Sequence, residues 1–285
     1  MRTKVLAILE VVLVFAVMQA LLTLWSSTAI LQWEKQNLGW SYIGALILVG
    51  IPALVMWLTR RNWVEYGVSL ANWPTNLDIG MKGYLVAFIP YVFGWLCAPD
   101  LGLDPLRLGG VWIAFTEAIA LALILWMMKR QKPVQSARKN VIIASLCLCF
   151  PIVMALAMRR LNAVIVSTVF WQLVFSGFGE EFLWRGYVQS RLNQAFGRPW
   201  RLFGIQFGVG LIIASLLFGV QHALNTYKPG LGLASLSWGW ALSTFVGGLM
   251  LGAIREKSDT LLAPGIAHGL PDAVGESLIK IFGWV

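Results

Sequence analysis

Ionisable residues are scarce in this chain. Charged side chains make up 12% of its 285 residues, and it holds only two His and three Cys. So little charge beside 58% apolar residues and a mean hydropathy of +0.73 excludes an ordinary soluble globule and fits a polytopic membrane protein. Cys97, Cys147 and Cys149 all lie in apolar runs. Their number and spacing exclude a disulfide framework and a zinc spacing and leave them as packing residues. No internal repeat is visible, so the inverted symmetry of secondary transporters has no support. The net charge is +9, but Lys and Arg stand in short clusters between apolar runs and build no continuous basic face. Nucleic acid is therefore not an expected partner, and the lipid bilayer is.

A membrane-crossing helix needs roughly 20 mostly apolar residues. By that measure candidate spans lie near 5–32, 38–58, 82–98, 110–128, 140–158, 163–194, 202–224, 231–254 and 260–283. This predicts an all-α polytopic bundle of about eight to nine transmembrane helices, with residues 1–162 as an N-terminal set and 163–285 as a C-terminal helical core. The first run follows Arg2 and Lys4, carries Glu10 and lacks a clear cleavage site, so it reads as a retained signal anchor. Trp33, Trp57, Trp126 and Trp200 stand near ends of apolar runs, as in interfacial belts. The stretch 59–80 mixes charge and Trp and reads as an interfacial segment with a turn at Trp73-Pro74. Placing the N-terminus in the cytoplasm puts fifteen Lys and Arg inside and six outside, with Arg185 set apart as intramembrane. The Arg159-Arg160 pair is the exception to that asymmetry.

The stretch FGEEFLWRGY, residues 178–187, places two adjacent carboxylates in one of these spans. In a helix, Glu181 and Arg185 are four apart and share a face, so they can pair. Glu180 points about 100° away and is left available. Both histidines sit in short patterns, FGVQH ending at His222 and HGLPD running from His268 to Asp272. One His in an apolar helix is more often a hydrogen-bonded core residue than a base or ligand. Two of two beside a Glu pair reverse that expectation, and Glu180, His222, His268 and Asp272 become candidates to meet inside the bundle. Glu10 and Glu117 also lie in apolar spans and take no role. Glu276 and Lys280 have the spacing of an ion pair, and Gly248 and Gly252 that of close helix packing.

The ordered patterns E-E-x-x-x-R (Glu180, Glu181, Arg185), F-x-x-x-H (Phe218, His222) and H-x-x-x-D (His268, Asp272) resemble the CPBP family of intramembrane proteases. That group contains CAAX prenyl endopeptidases of the Rce1 type and bacterial Abi proteins. The resemblance covers residues 163 to about 275; the family's third pattern often ends in Asn where this chain has Asp272. It implies an intramembrane endopeptidase acting on a membrane-associated or C-terminally lipidated peptide or protein, in a multi-pass protein of a prokaryotic plasma membrane. Glu180, helped by His222, would activate water. Glu181, Arg185 and Phe218 would be structural or substrate-orienting, Arg185 alternatively holding a substrate carboxylate. His268 and Asp272 would complete the site, although an ionised Asp272 cannot donate to an oxyanion as Asn would.

A metal is the other route. Glu180, His222, His268 and Asp272 are the candidate ligands of a zinc-like site with an open position, but H-E-x-x-H is absent and nothing local favours zinc. Against the protease stand a non-catalytic scaffold or bacteriocin-immunity protein of the same family and an ion-coupled transporter. Depth sets a condition on the first reading. A span six ending at Glu181 and a span seven starting at 202 would leave Glu180 and His222 roughly 30 Å apart. Cooperation requires a helix unbroken from about 165 to beyond 188, with the start of span seven interfacial or steeply tilted.

Overall fold

The computed structural model describes residues 2–283; Met1, Trp284 and Val285, the last two from the terminal IFGWV, lie outside the described residues. The described chain is all-α apart from one small hairpin. Its helices are α1 (Arg2–Ser26), α2 (Ala29–Leu38), α3 (Tyr42–Leu58), α4 (Trp73–Asp100), α5 (Leu108–Lys129), α6 (Arg138–Ala157), α7 (Ala163–Phe196), α8 (Val209–Leu224), α9 (Trp238–Ser258) and α10 (Leu262–Phe282). Among these, α1, α4, α5, α6 and α7 are long and apolar enough to cross a membrane, and α2 with α3 forms a further pair bent by 113°. This is fewer than the nine runs read from the sequence. The short α8 has 16 residues, α9 ends on Arg255-Glu256-Lys257, and α10 carries four ionisable residues.

Local chemistry explains where the expected spans shift. The run 5–32 breaks at Ser26-Ser27-Thr28, where the Thr28 hydroxyl caps α2 by accepting from the Leu31 N–H, 3.3 Å away. Gly39 at φ +78° then ends α2 and Ser41 caps α3. Trp73-Pro74 is a helix start rather than a turn. Proline in the first helical turn loses no hydrogen bond there, and α4 runs from it through a π-wound stretch, Pro90–Leu96, to Asp100. The expected span 202–224 opens as an antiparallel hairpin, β1 (Trp200–Leu202) against β2 (Ile205–Phe207), before α8 begins.

Helices of both halves share the same apolar clusters. One joins Ala7, Val11 and Met18 of α1 to Leu183, Trp184 and Tyr187 of α7 and to Phe218 of α8. Another joins Val86 of α4 and Ile124 of α5 to Met250 and Ile254 of α9 and Ala267 of α10. The outward faces carry large apolar side chains such as Leu13, Leu85, Phe115 and Leu146, as lipid contact requires. Trp33, Trp57, Trp126 and Trp200 are all exposed.

Apart from the buried groups around Glu181 and Arg185, ion pairs and cation contacts form two sets. At one end Glu10 accepts from Arg61 (2.7 Å), Arg191 (2.9 Å) and the Tyr187 hydroxyl (2.7 Å). Arg198 pairs with Glu256 and Lys82 with Asp78 in the same layer, each at 2.6 Å. At the other end Arg160 donates to the Ile281 carbonyl. Lys280 there stands 5.0 Å over the Trp40 ring, and no ion pair with Glu276 is present among the described residues.

Candidate active site

The Glu180–Glu181 pair sits in the middle of α7, which runs without interruption through Gly186, the continuity expected of it. Asn162 starts it, its side chain accepting from the Ile165 N–H. Residues Gln172–Glu180 and Phe182–Gln189 are π-wound, with i→i+5 bonding of the kind that clusters at functional sites. Gly177 brings this helix into backbone contact with α10. A Cβ added there would lie 2.6 Å from Gly269 Cα and 2.9 Å from the Gly265 carbonyl. Small residues at such a crossing let backbones meet without intervening side chains.

The crossing places the α10 histidine beside the second Glu. His268 Nδ1 donates to Glu181 Oε1 at 2.9 Å, and the same oxygen accepts from Arg185 Nη1 at 2.8 Å. Arg185 and Glu181 are both 0% exposed. The remaining guanidinium contacts are the Gly248 carbonyl, 3.2 Å away, and the Phe218 ring, 4.6 Å from centroid to Cζ. Gly248 and Gly252 lie on the close approach of α9 to α8 and α7, and their carbonyls accept from Arg185 and Gln189. Arg185 is thus enclosed on every side. Changing Glu181 to Gln leaves it as an uncompensated buried charge, and the expected cost is about 3–5 kcal/mol of stability. Thermal unfolding in detergent checks this; an unchanged melting temperature would contradict it.

Beyond the pair, His268 Nε2 stands 3.5 Å from Asp272 Oδ2, which accepts from the Ser176 hydroxyl at 2.9 Å. Asp272 therefore serves as an acceptor here. Exposure rises along this row, from 13% for the His268 side chain to 32% for that of Asp272, so the site opens in that direction.

His222 Nδ1 lies 2.8 Å from the Phe218 carbonyl. A carbonyl only accepts, so Nδ1 carries the hydrogen and the Nε2 of a neutral imidazole presents a lone pair. The Phe218 ring stands edge-on to both histidines, with centroids 4.5 Å from His222 and 5.9 Å from His268, and Trp240 closes the far side of His222 at 5.0 Å. The α8 helix starts level with Gln189, against whose carbonyl Gly210 packs, and meets Arg185 through Phe218. That descent is possible because the hairpin, not the helix, occupies residues 200–207.

Glu180 stands apart from these pairs. Its Oε2 is buried without a hydrogen-bond partner, while His268, Asp272, Glu181 and Arg185 all lie within its electrostatic range. No hydrogen bond joins it to His222 among the described residues, since His222 sits one helical turn beyond Phe218. His222 is also not among the groups that act electrostatically on Glu180. Reading the sequence alone missed Ser176, Trp240 and the Gly177 crossing. The Gly265-x-x-x-Gly269 spacing and the Ser four residues before Glu180 were the available signals.

The four candidate metal ligands do not converge. No group of three or more His, Cys, Asp or Glu able to hold a metal is found among the described residues. Both ring nitrogens of His268 face carboxylates, which leaves His222 Nε2 as the one open imidazole donor, so the pair does not supply the two nitrogen ligands of the expected zinc-like site.

These motif residues, held in this geometry, fall inside a segment that matches a family model. Residues 160–274 match the family of type II CAAX prenyl endopeptidases, Rce1-like. The Rce1-like segment spans α7 to the middle of α10 and includes every residue of the three motifs. That family match and the five long apolar helices support an integral membrane protein, and the match covers 160–274 alone. No curated protein and no solved structure matches the chain.

Proposed function

We propose that the protein hydrolyses a peptide bond of a membrane-associated or C-terminally lipidated CAAX-type substrate, using water activated by Glu180. The observation that carries this reading is the division of labour in the Glu pair. Glu181 holds Arg185 and His268 through Oε1, with its Oε2 unpartnered, whereas Glu180 makes no hydrogen bond or ion pair among the described residues and its Oε2 is buried. An unpaired buried carboxylate is costly unless it has a task.

In this mechanism a water lies between Glu180 Oε2 and His222 Nε2, donating one hydrogen to each. Glu180 takes a proton as the oxygen attacks the carbonyl carbon. The Nε2–H of His268, whose ring is anchored by Glu181, stabilises the tetrahedral intermediate, with Asp272, held by Ser176, orienting that ring as an acceptor. Glu180 then gives its proton to the leaving nitrogen, the C–N bond breaks, and the carboxylate is restored. Arg185 and Phe218 hold the two histidines and Glu181 in place. No step draws on a metal. The Lys and Arg-rich end, with the N-terminus, faces the cytoplasm in this reading, in accord with the excess of cations there.

Purified protein in nanodiscs, given the same CAAX-type peptide with and without a C-terminal lipid, tests the proposal. Cleavage of the membrane-held peptide, seen as two fragments by mass spectrometry and unchanged by a chelator, is the expected result. A correctly folded protein that cleaves neither peptide would point to the scaffold reading.

A further inference from the structure

At the cation-rich end, away from Glu180, a cavity of about 790 Å³ opens between the 64–79 segment, the 131–133 loop, the end of α7 and the α9–α10 turn. Four cations line it, Lys132, Arg198, Arg255 and Lys257, against two acids, Glu65 and Asp259. Arg198 is already paired with Glu256. Lys132 and Lys257 have no ion-pair partner among the described residues.

Arg255 is the unusual member. It is 3% exposed, yet its Nη2 meets only the Ser190 hydroxyl, at 3.3 Å, and its Nη1 stands 3.8 Å from Asp259, whose side chain is 86% exposed. Its Nε has no partner, and neither does the buried Thr260 hydroxyl on the same wall. The guanidinium is held from behind by Gly67, at φ +86°, where a Cβ would come within 2.8 Å of Nε. A buried cation with such weak partners lacks the compensation that burial demands.

We propose that this cavity binds a phosphate-bearing anion, with Arg255 and Thr260 as its floor and Lys132 and Lys257 as its rim. Guanidinium and hydroxyl donors around one space suit a phosphate group. Basic pockets between transmembrane helices at the membrane surface are suited to anionic lipid headgroups. This assignment depends on the membrane reading alone and stands whether or not Glu180 is a catalytic base.

The test is lipid retention by native mass spectrometry on the full chain released from nanodiscs of equal phosphatidylglycerol and phosphatidylcholine content. The wild type should retain phosphatidylglycerol preferentially. Each cation removed, in Lys132→Gln, Lys257→Gln and their double variant, should lower that preference about fivefold. These rim changes leave the buried floor intact, so folding is preserved, and Arg255→Gln is included with its melting temperature as a control. Equal retention of the two lipids, with no effect of inorganic phosphate on wild-type melting, would overturn the proposal, as would a lipid preference unmoved in the double variant. Stabilisation by inorganic phosphate that disappears in the double variant, with no lipid preference, would support the site and assign its ligand to a soluble phosphate.

Discussion

Replacing Glu180 with Gln is expected to lower the rate of peptide cleavage by about 10²–10⁴-fold, the range spanned by general-base catalysis. Gln keeps the shape and polarity of the side chain but cannot take a proton from water. Stability should not fall with activity. Glu180 Oε2 makes no bond to the protein, so the amide leaves no partner stranded and removes a carboxylate from a low-dielectric site. The neighbouring Glu181→Gln change has the opposite signature, because that residue holds Arg185 and His268. Two adjacent, chemically identical residues are thus separated by one pair of measurements, the cleavage rate and the melting temperature. A Glu180→Gln protein within a factor of about three of wild-type activity would remove the proposed base, since that is far below any general-base effect. Parallel loss of stability in both variants would show that Glu180 is a structural residue like its neighbour.

The parts of this site that were legible in the sequence are local in the chain. The Glu181–Arg185 pair follows from a spacing of four, which survives the π-winding of α7. The continuity of α7 through Gly186 follows from apolar residues on both sides. The Gly248 and Gly252 spacing likewise announces close packing, and the structure finds it. What the sequence left open is what depends on where distant helices cross. That His268 reaches Glu181 instead of Glu180 is decided by how α10 lies across α7, and no pattern of spacings along one helix contains that crossing. Phe218 looked like the first letter of a histidine motif, and its ring proves to be the spacer that touches His222, His268 and Arg185 together. Errors in the expected spans have a similar origin. A hydropathy window sees Ser26-Ser27-Thr28 as mildly polar, whereas hydroxyl capping turns the chain there. The same window extends span seven through residues 202–208, which pair as a hairpin because the short loop between β1 and β2 holds Phe203 and Gly204 at positive φ.

The crossing itself supplies the second large effect. Gly177→Val is expected to destabilise the protein by about 1–3 kcal/mol, as overpacking does, and to slow cleavage on the order of 10²-fold, as a displacement of about 1 Å at a site can. All three atoms that a Cβ at 177 would meet are backbone, Gly269 Cα at 2.6 Å, the Gly265 carbonyl at 2.9 Å and Gly269 N at 3.0 Å. Backbone cannot rotate aside as a side chain would, so α10 must move away from α7. The two hydrogen bonds that tie those helices together within the site, Ser176 to Asp272 and His268 to Glu181, are each 2.9 Å long and start within four residues of Gly177. Separation by about 1 Å takes both beyond hydrogen-bonding range. Gly50→Ala is the matched control, since Gly50 has nothing within 4 Å of an added Cβ and should accept it without loss. A Gly177→Val protein with wild-type melting and cleavage would mean that the α7–α10 contact does not set the positions of His268 and Asp272. If the control fails equally, glycine at these positions matters for helix formation and not for the crossing.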